Sequence, residues 1–119
     1  MDKQTINLLK YRGQGSTAFT GRNEGRLARA DLTLDEKDAD GVIYEVIIPK
    51  NTTSINSSFF LGLFYPSIKK LNSIEKFDEK YVFVIEEENQ EWRSILEKNL
   101  AECRRRAYNE LNQTTGIDF

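Results

Sequence analysis

Residues 41–64 read GVIYEVIIPKNTTSINSSFFLGLF: an aliphatic run, a polar loop, and a second apolar run opened by two serines. In the first run Val42, Tyr44, Val46 and Ile48 fall on one side of an extended chain and Ile43 and Ile47 on the other. Apolar residues on both sides predict an interior strand covered on two faces. Pro49 lacks the amide that a ladder needs and ends the strand, and Lys50 to Ser54 form a short polar loop. From about Ser57 the spacing changes: Phe59, Phe60, Leu63, Phe64, Ser67, Ile68 and Leu71 recur at helical intervals. Pro66, inside that run, predicts a kink or a restart.

Upstream, TINLLKY (Thr5 to Tyr11) reads as a strand ended by the turn RGQG, and a helix is expected from about Asn23 to Asp31, capped near Thr20 or Asn23. EKDADG reads as a polar turn. Downstream, NSIEKFDEK is a loop or a single helical turn, and Tyr81 to Ile85 a third strand. From about Asn89 to Leu111, Trp92, Leu96, Leu100, Cys103, Ala107 and Leu111 form one stripe of an amphipathic helix, with a frayed tail from about residue 112. The order strand, helix, strand, helix, strand, helix predicts a single α/β domain over residues 1–119. It should have a three- to four-stranded mixed sheet with the strand of residues 41–49 at its centre, helices packed on it, and an extra hairpin or edge strand around Ser16 to Phe19.

The bulk properties narrow the function. A chain of 119 residues fits one core, and 30% charged with 39% apolar residues suits a soluble, compact domain. The net charge of −2 is well mixed, so neither nucleic acid nor an anionic membrane is an expected partner. No basic segment followed by an apolar one opens the chain, and the expected location is cytoplasmic. There is one cysteine and no histidine, which removes an intrachain disulfide, the usual zinc and copper ligand sets, and every Ser-His or Cys-His nucleophile. No enzyme, metal or cofactor is expected.

Three features could carry function. Ser57 and Ser58 stand at a helix start beyond the carboxyl end of a central strand, where functional groups gather in α/β sheets. A phosphate there would meet free amides and the positive end of the helix dipole, whereas Asn56 or Ser57 as a plain N-cap needs no function. The stretch RGQGSTAFTGRNEG and its flanks interleave Gly13, Gly15, Gly21 and Gly25 with Arg12, Arg22, Arg26 and Arg29. Glycine allows close backbone approach and arginine binds phosphate, so Arg22, Asn23 and Arg26 are candidate contacts, against the alternative of turns and solvated arginines. The runs Asp35 to Asp40, Glu86 to Glu88 and Arg104 to Arg106 read as solvated.

INSSFFLGLF resembles the signature of STAS domains, the fold of sulfate transporters and anti-sigma factor antagonists. The layout from TGRNEG through SSFFLGLF to KFDEKYVF resembles the STAS-like family of uncharacterised bacterial domains, over roughly residues 5 to 100. The resemblance implies a small STAS-like fold and a non-catalytic regulatory or protein-interaction module, with Ser58 as the phosphorylatable serine and Ser57 just before it. Asn56 stands where the family carries an acidic residue, and Phe59 where it carries a small one; Phe59 either fills the core or presents its ring to a partner. The implied interaction surface comprises Asn51, Thr52, Thr53, Asn56, Ser57, Ser58 and Phe59, and the implied partner is a GHKL-type ATP-binding kinase or another signalling protein; a homo-oligomer is also compatible. The competing reading is a small nucleotide- or phosphate-ligand-binding protein using residues 12–29.

Overall fold

The computed structural model describes residues 3–12 and 15–114. In chain order it contains β1 (Lys3–Asn7), a 3-10 turn (Leu9–Tyr11), β2 (Ala18–Phe19), α1 (Arg22–Asp31), α2 (Leu34–Ala39) and β3 (Ile43–Ile48). There follow β4 (Ser54–Ile55), α3 (Ser57–Leu71), α4 (Ile74–Lys80), β5 (Tyr81–Ile85) and α5 (Gln90–Thr114). The expected α/β architecture with a long C-terminal amphipathic helix is therefore present.

The strands form two sheets, β1–β3–β5 and β2–β4, with β3 central in the larger. Every pairing is parallel, where a mixed sheet was expected. The cause is connectivity: α1 and α2 separate β1 from β3, and α3 and α4 separate β3 from β5, which returns each strand in the same direction. The edge strand expected around Ser16 to Phe19 is β2, and it pairs with β4 rather than joining the larger sheet.

Among the described residues, cover on two faces is not found. Along β3, Tyr44, Val46 and Ile48 are buried while Ile43, Glu45 and Ile47 are only half-buried. The inner face receives α3, whose Phe60 and Phe64 meet Phe77 of α4 and Tyr81 and Phe83 of β5 at ring separations of 5.1 to 6.0 Å. Such aromatic pairs add about 0.5–1.5 kcal/mol each beyond their area. Helix α3 is the hub, packed by α1, α2, α4 and α5. It runs unbroken through Pro66, because the buried Phe64, Ser67 and Ile68 on either side hold the turn that the missing amide weakens.

Other boundaries shift for local reasons. β1 stops at Asn7, whose side chain accepts the Leu9 amide and turns the chain into the 3-10 segment. Gly21, at φ 93°, takes the cap position of α1 in place of Thr20 or Asn23. Residues 74–80 are a helix of two turns capped by Ser73, which accepts the Lys76 amide. Part of the expected turn EKDADG is α2, and Asp38 within it is buried. Trp92 is 44% exposed and drops out of the α5 stripe, which is Leu96, Leu100, Cys103, Ala107 and Leu111. Residues 112–114 continue α5 rather than fraying, and 13–14 and 115–119 lie outside the described residues.

Burial pushes the Cys103 thiol up to about 12. Tyr44 is likewise raised to about 12, by burial and then by its hydrogen bond to Asp40, and burial and Asp38 raise Tyr81. Groups with raised folded-state values add stability that is whole below their unfolded values, about 8.5 for Cys and 10 for Tyr, and is lost as pH climbs toward 12. Denaturant titrations should show stability falling steadily from about pH 9 upward, with Cys103 unreactive to thiol reagents until the chain unfolds. A folded chain that labels quickly at about pH 8 would contradict the burial of Cys103.

Candidate functional site

The start of α3 is fixed by Asn56, whose backbone is extended and whose Oδ1 accepts the Phe59 amide at 2.9 Å. Its own amide donates to the Phe19 carbonyl, which ties the helix start to β2. The cap reading of Asn56 thus holds. It leaves the amides of Ser57 and Ser58 ahead of the first intrahelical acceptor, at the positive end of a helix of 15 residues. Ser58 is exposed and Ser57 half-buried.

A pair of glycines brings a second element to those serines. A Cβ on Gly25 of α1 would lie 2.2 Å from the Phe59 carbonyl oxygen, and one on Gly62 of α3 would lie 2.2 Å from the Arg22 carbonyl oxygen. Backbone therefore meets backbone between α1 and α3, and the first turns of the two helices sit side by side. Arg22 follows from this beside Ser57 and Ser58, in a groove of about 550 Å³ that is closed by Leu61 and by Arg105 and Arg106 of α5.

The cations of this groove are partly balanced. Glu102 accepts from Arg105 at 2.6 Å and from Arg106 at 3.2 Å, and these hydrogen bonds, Arg105's first, hold its carboxyl below the usual range. Arg22 lies 3.6 Å from Glu110. Arg104 does not join them: it pairs with Asp78 at 2.9 Å and lies over the Phe83 ring. The arginine run that reads as solvated is thus divided between a groove and a packed surface.

The expected interaction surface is only partly a surface. Asn51, Thr53, Asn56 and Ser58 are exposed, but Thr52 and Phe59 are fully buried. Phe59 packs its ring 5.1 Å from Phe19, so its core role wins over presentation to a partner. Thr52 donates to the Pro49 carbonyl at 2.8 Å and accepts from Arg12 at 3.0 Å. Asn51 takes a left-handed backbone at φ 66°, which Asn tolerates, and its amide donates to Glu87. Trp92, which the periodicity placed in the helix stripe, is exposed together with Ile95, and both share the helix face of Asn99, whose Oδ1 accepts the Ile55 amide.

The glycine and arginine stretch does not form one site. Arg12 braces the loop after β3 through the Lys50 carbonyl and Thr52. Arg29 is buried and occupied by Asp38 at 2.6 Å, Asp35 at 2.7 Å, Ser67 at 2.8 Å and the Leu63 carbonyl at 2.9 Å. Arg26 lines a different concavity with Asp35 and Glu36, and Asn23 is exposed on the first turn of α1. Of Arg22, Asn23 and Arg26, Arg22 alone lines the groove that holds the serines.

Among the described residues, no three His, Cys, Asp or Glu side chains gather as metal ligands, and no helix is long and apolar enough to cross a membrane. Periodicity along one helix cannot show that α5 returns beside the start of α3, so Arg105 and Arg106 were missed as members of the site; the helix glycines Gly25 and Gly62 were a signal for the approach of α1 and Arg22 alone. No protein-family model, curated protein or solved structure matches the chain.

Proposed function

We propose that this chain is a non-catalytic, STAS-like regulatory module that binds another protein around the start of α3 and is switched by phosphorylation of Ser58. The observation that carries the reading is the placement of an exposed serine hydroxyl in the first turn of α3, inside a groove lined by Arg22, Arg105 and Arg106. A phosphate there would add about 1.5 to 2 negative charges, meet unpaired amides and draw the arginines from Glu102 and Glu110. The surface shown to a partner would change in charge and in side-chain arrangement together. A GHKL-type ATP-binding kinase or another cytoplasmic signalling protein is the partner that the sequence resemblance implies.

The same groove supports a second reading, a binding site for a phosphate-bearing small molecule, because the arginines could grip a free phosphate as they would grip phosphoserine. Two measurements separate the readings. Phosphopeptide mapping of the chain from its native source should find Ser58 modified, and Ser58→Asp and Ser58→Ala should differ at least about fivefold in affinity for the protein that co-purifies with it. Equal binding by both variants would sink the switch. Calorimetric binding of ATP or inorganic phosphate that Arg22→Ala abolishes would favour the small-molecule reading.

A further inference from the structure

Sheet β1–β3–β5 is parallel throughout yet, among the described residues, covered on one face, and parallel sheets otherwise have both faces covered. Its outer face carries Ile43, Glu45 and Ile47 from β3, Val82 and Val84 from β5, and the polar Lys3, Thr5 and Asn7 from β1. Val82 is 42% exposed, and Ile43, Ile47 and Val84 are half-buried. In register, Glu45 stands between Thr5 and Val82 and Ile47 between Asn7 and Val84, so a carboxylate lies where a two-strand patch of branched aliphatics meets the polar residues of β1. We propose that this face docks an amphipathic helix of another protein, one that sets aliphatic side chains around a single lysine or arginine facing Glu45.

Charge and size favour this occupant. Among the described residues Glu45 pairs with Lys3, at 4.0 Å and 64% exposed, a rim pair that an incoming cation can replace. A second copy of the chain is disfavoured: a two-fold stack of the sheets lays β3 on β3 and brings Glu45 against its own copy, a like-charge contact. The aliphatic part spans two strands about 4.8 Å apart and five residues rising about 3.3 Å each, a strip about 10 Å wide and about 16 Å long bordered by the polar residues of β1, the footprint of about three turns of one helix. The patch lies on the opposite side of the sheet from the helices that form the serine groove, so it stands apart from the phosphorylation reading.

The test uses two synthetic helical peptides of about 14 residues with a Leu/Ile stripe, one with Lys and the other with Glu at the centre of the stripe, titrated calorimetrically at roughly 50 mM salt. The Lys peptide should bind the wild-type chain about tenfold more tightly than the Glu peptide, Glu45→Lys should invert that order, and Ile47→Asp should abolish binding. If Ile47→Asp fails to fold by circular dichroism, the inversion at the partly exposed Glu45 still decides. Equal affinity of the two peptides for the wild type, or no binding by either, overturns the proposal. So does a sedimenting dimer that Val82→Asp dissociates, which would give the face to a second copy.

Discussion

Gly62→Ala is expected to destabilise the chain by about 3 kcal/mol and lower its melting temperature by roughly 10 °C or more. The sign is the informative part, because alanine in place of glycine within an ordinary helix stabilises by about 1 kcal/mol. Here the added methyl would lie 2.2 Å from the Arg22 carbonyl oxygen and 3.0 Å from its carbonyl carbon. Those atoms belong to the backbone of α1 and cannot swing aside, so the helices must separate. Gly25→Ala meets the same obstruction from the other side, at the Phe59 carbonyl. Gly41→Ala is the control: nothing lies within 4 Å of the place its methyl would take, and its melting temperature should stay within about 2 °C of wild type. If Gly62→Ala melts with the control, α1 and α3 are not in backbone contact. Separation would also carry Arg22 away from Ser58, so any anion dependence of the groove should weaken together with stability.

The second large effect is expected at Asp38. Its carboxylate accepts from Arg29 at 2.6 Å and from the Tyr81 hydroxyl at 2.6 Å, with side-chain exposures of 1% for Asp38 and 9% for Arg29. Asp38→Ala leaves a buried guanidinium short of its counter-charge and a buried hydroxyl without its acceptor, which should cost about 3–5 kcal/mol. Arg29→Met reverses the imbalance, leaving the buried carboxylate only the half-exposed Lys70 at 3.8 Å among the described cations, and also frees the Leu63 carbonyl and Ser67. The double variant Arg29→Met with Asp38→Leu removes both charges and should be more stable than either single variant. Chemical denaturation of the four proteins gives the coupling energy. Simple additivity of the two singles would mean that the pair does not act as a unit.

Arg29 also shows where reading the residues in order reaches its end. The alternation from Val42 to Ile48 and the three-to-four spacing from Leu96 to Leu111 each encode an element within a single window, and both elements are present. A two-residue strand has no period, so β2 and β4 carried no signal beyond a weak suggestion at Ser16 to Phe19. Asp38 looks like any acid of a polar turn until α1 and α2 fold onto α3 and set Arg29 beside it. Ile43 and Ile47 are apolar on a face that the described residues leave half-exposed, and the same letters would have described a covered one. Of the site, the serines and their cap could be read locally, but the arginines opposite them arrive from α5 and depend on how three helices pack.

The interleaving of the two sheets governs how this chain can acquire its structure. Odd-numbered strands build one sheet and even-numbered strands the other, so the stretch between β1 and β3 contains β2, and the stretch between β3 and β5 contains β4. No pairing can form as a hairpin; each waits for a crossover to close, and closing long loops before any contact rewards them slows folding. No cut between Phe19 and Ser54 leaves both sheets whole in one fragment. The two sheets are thus tied together by the chain itself: an intermediate that holds the larger sheet alone must carry β2 and β4 unpaired within its crossovers.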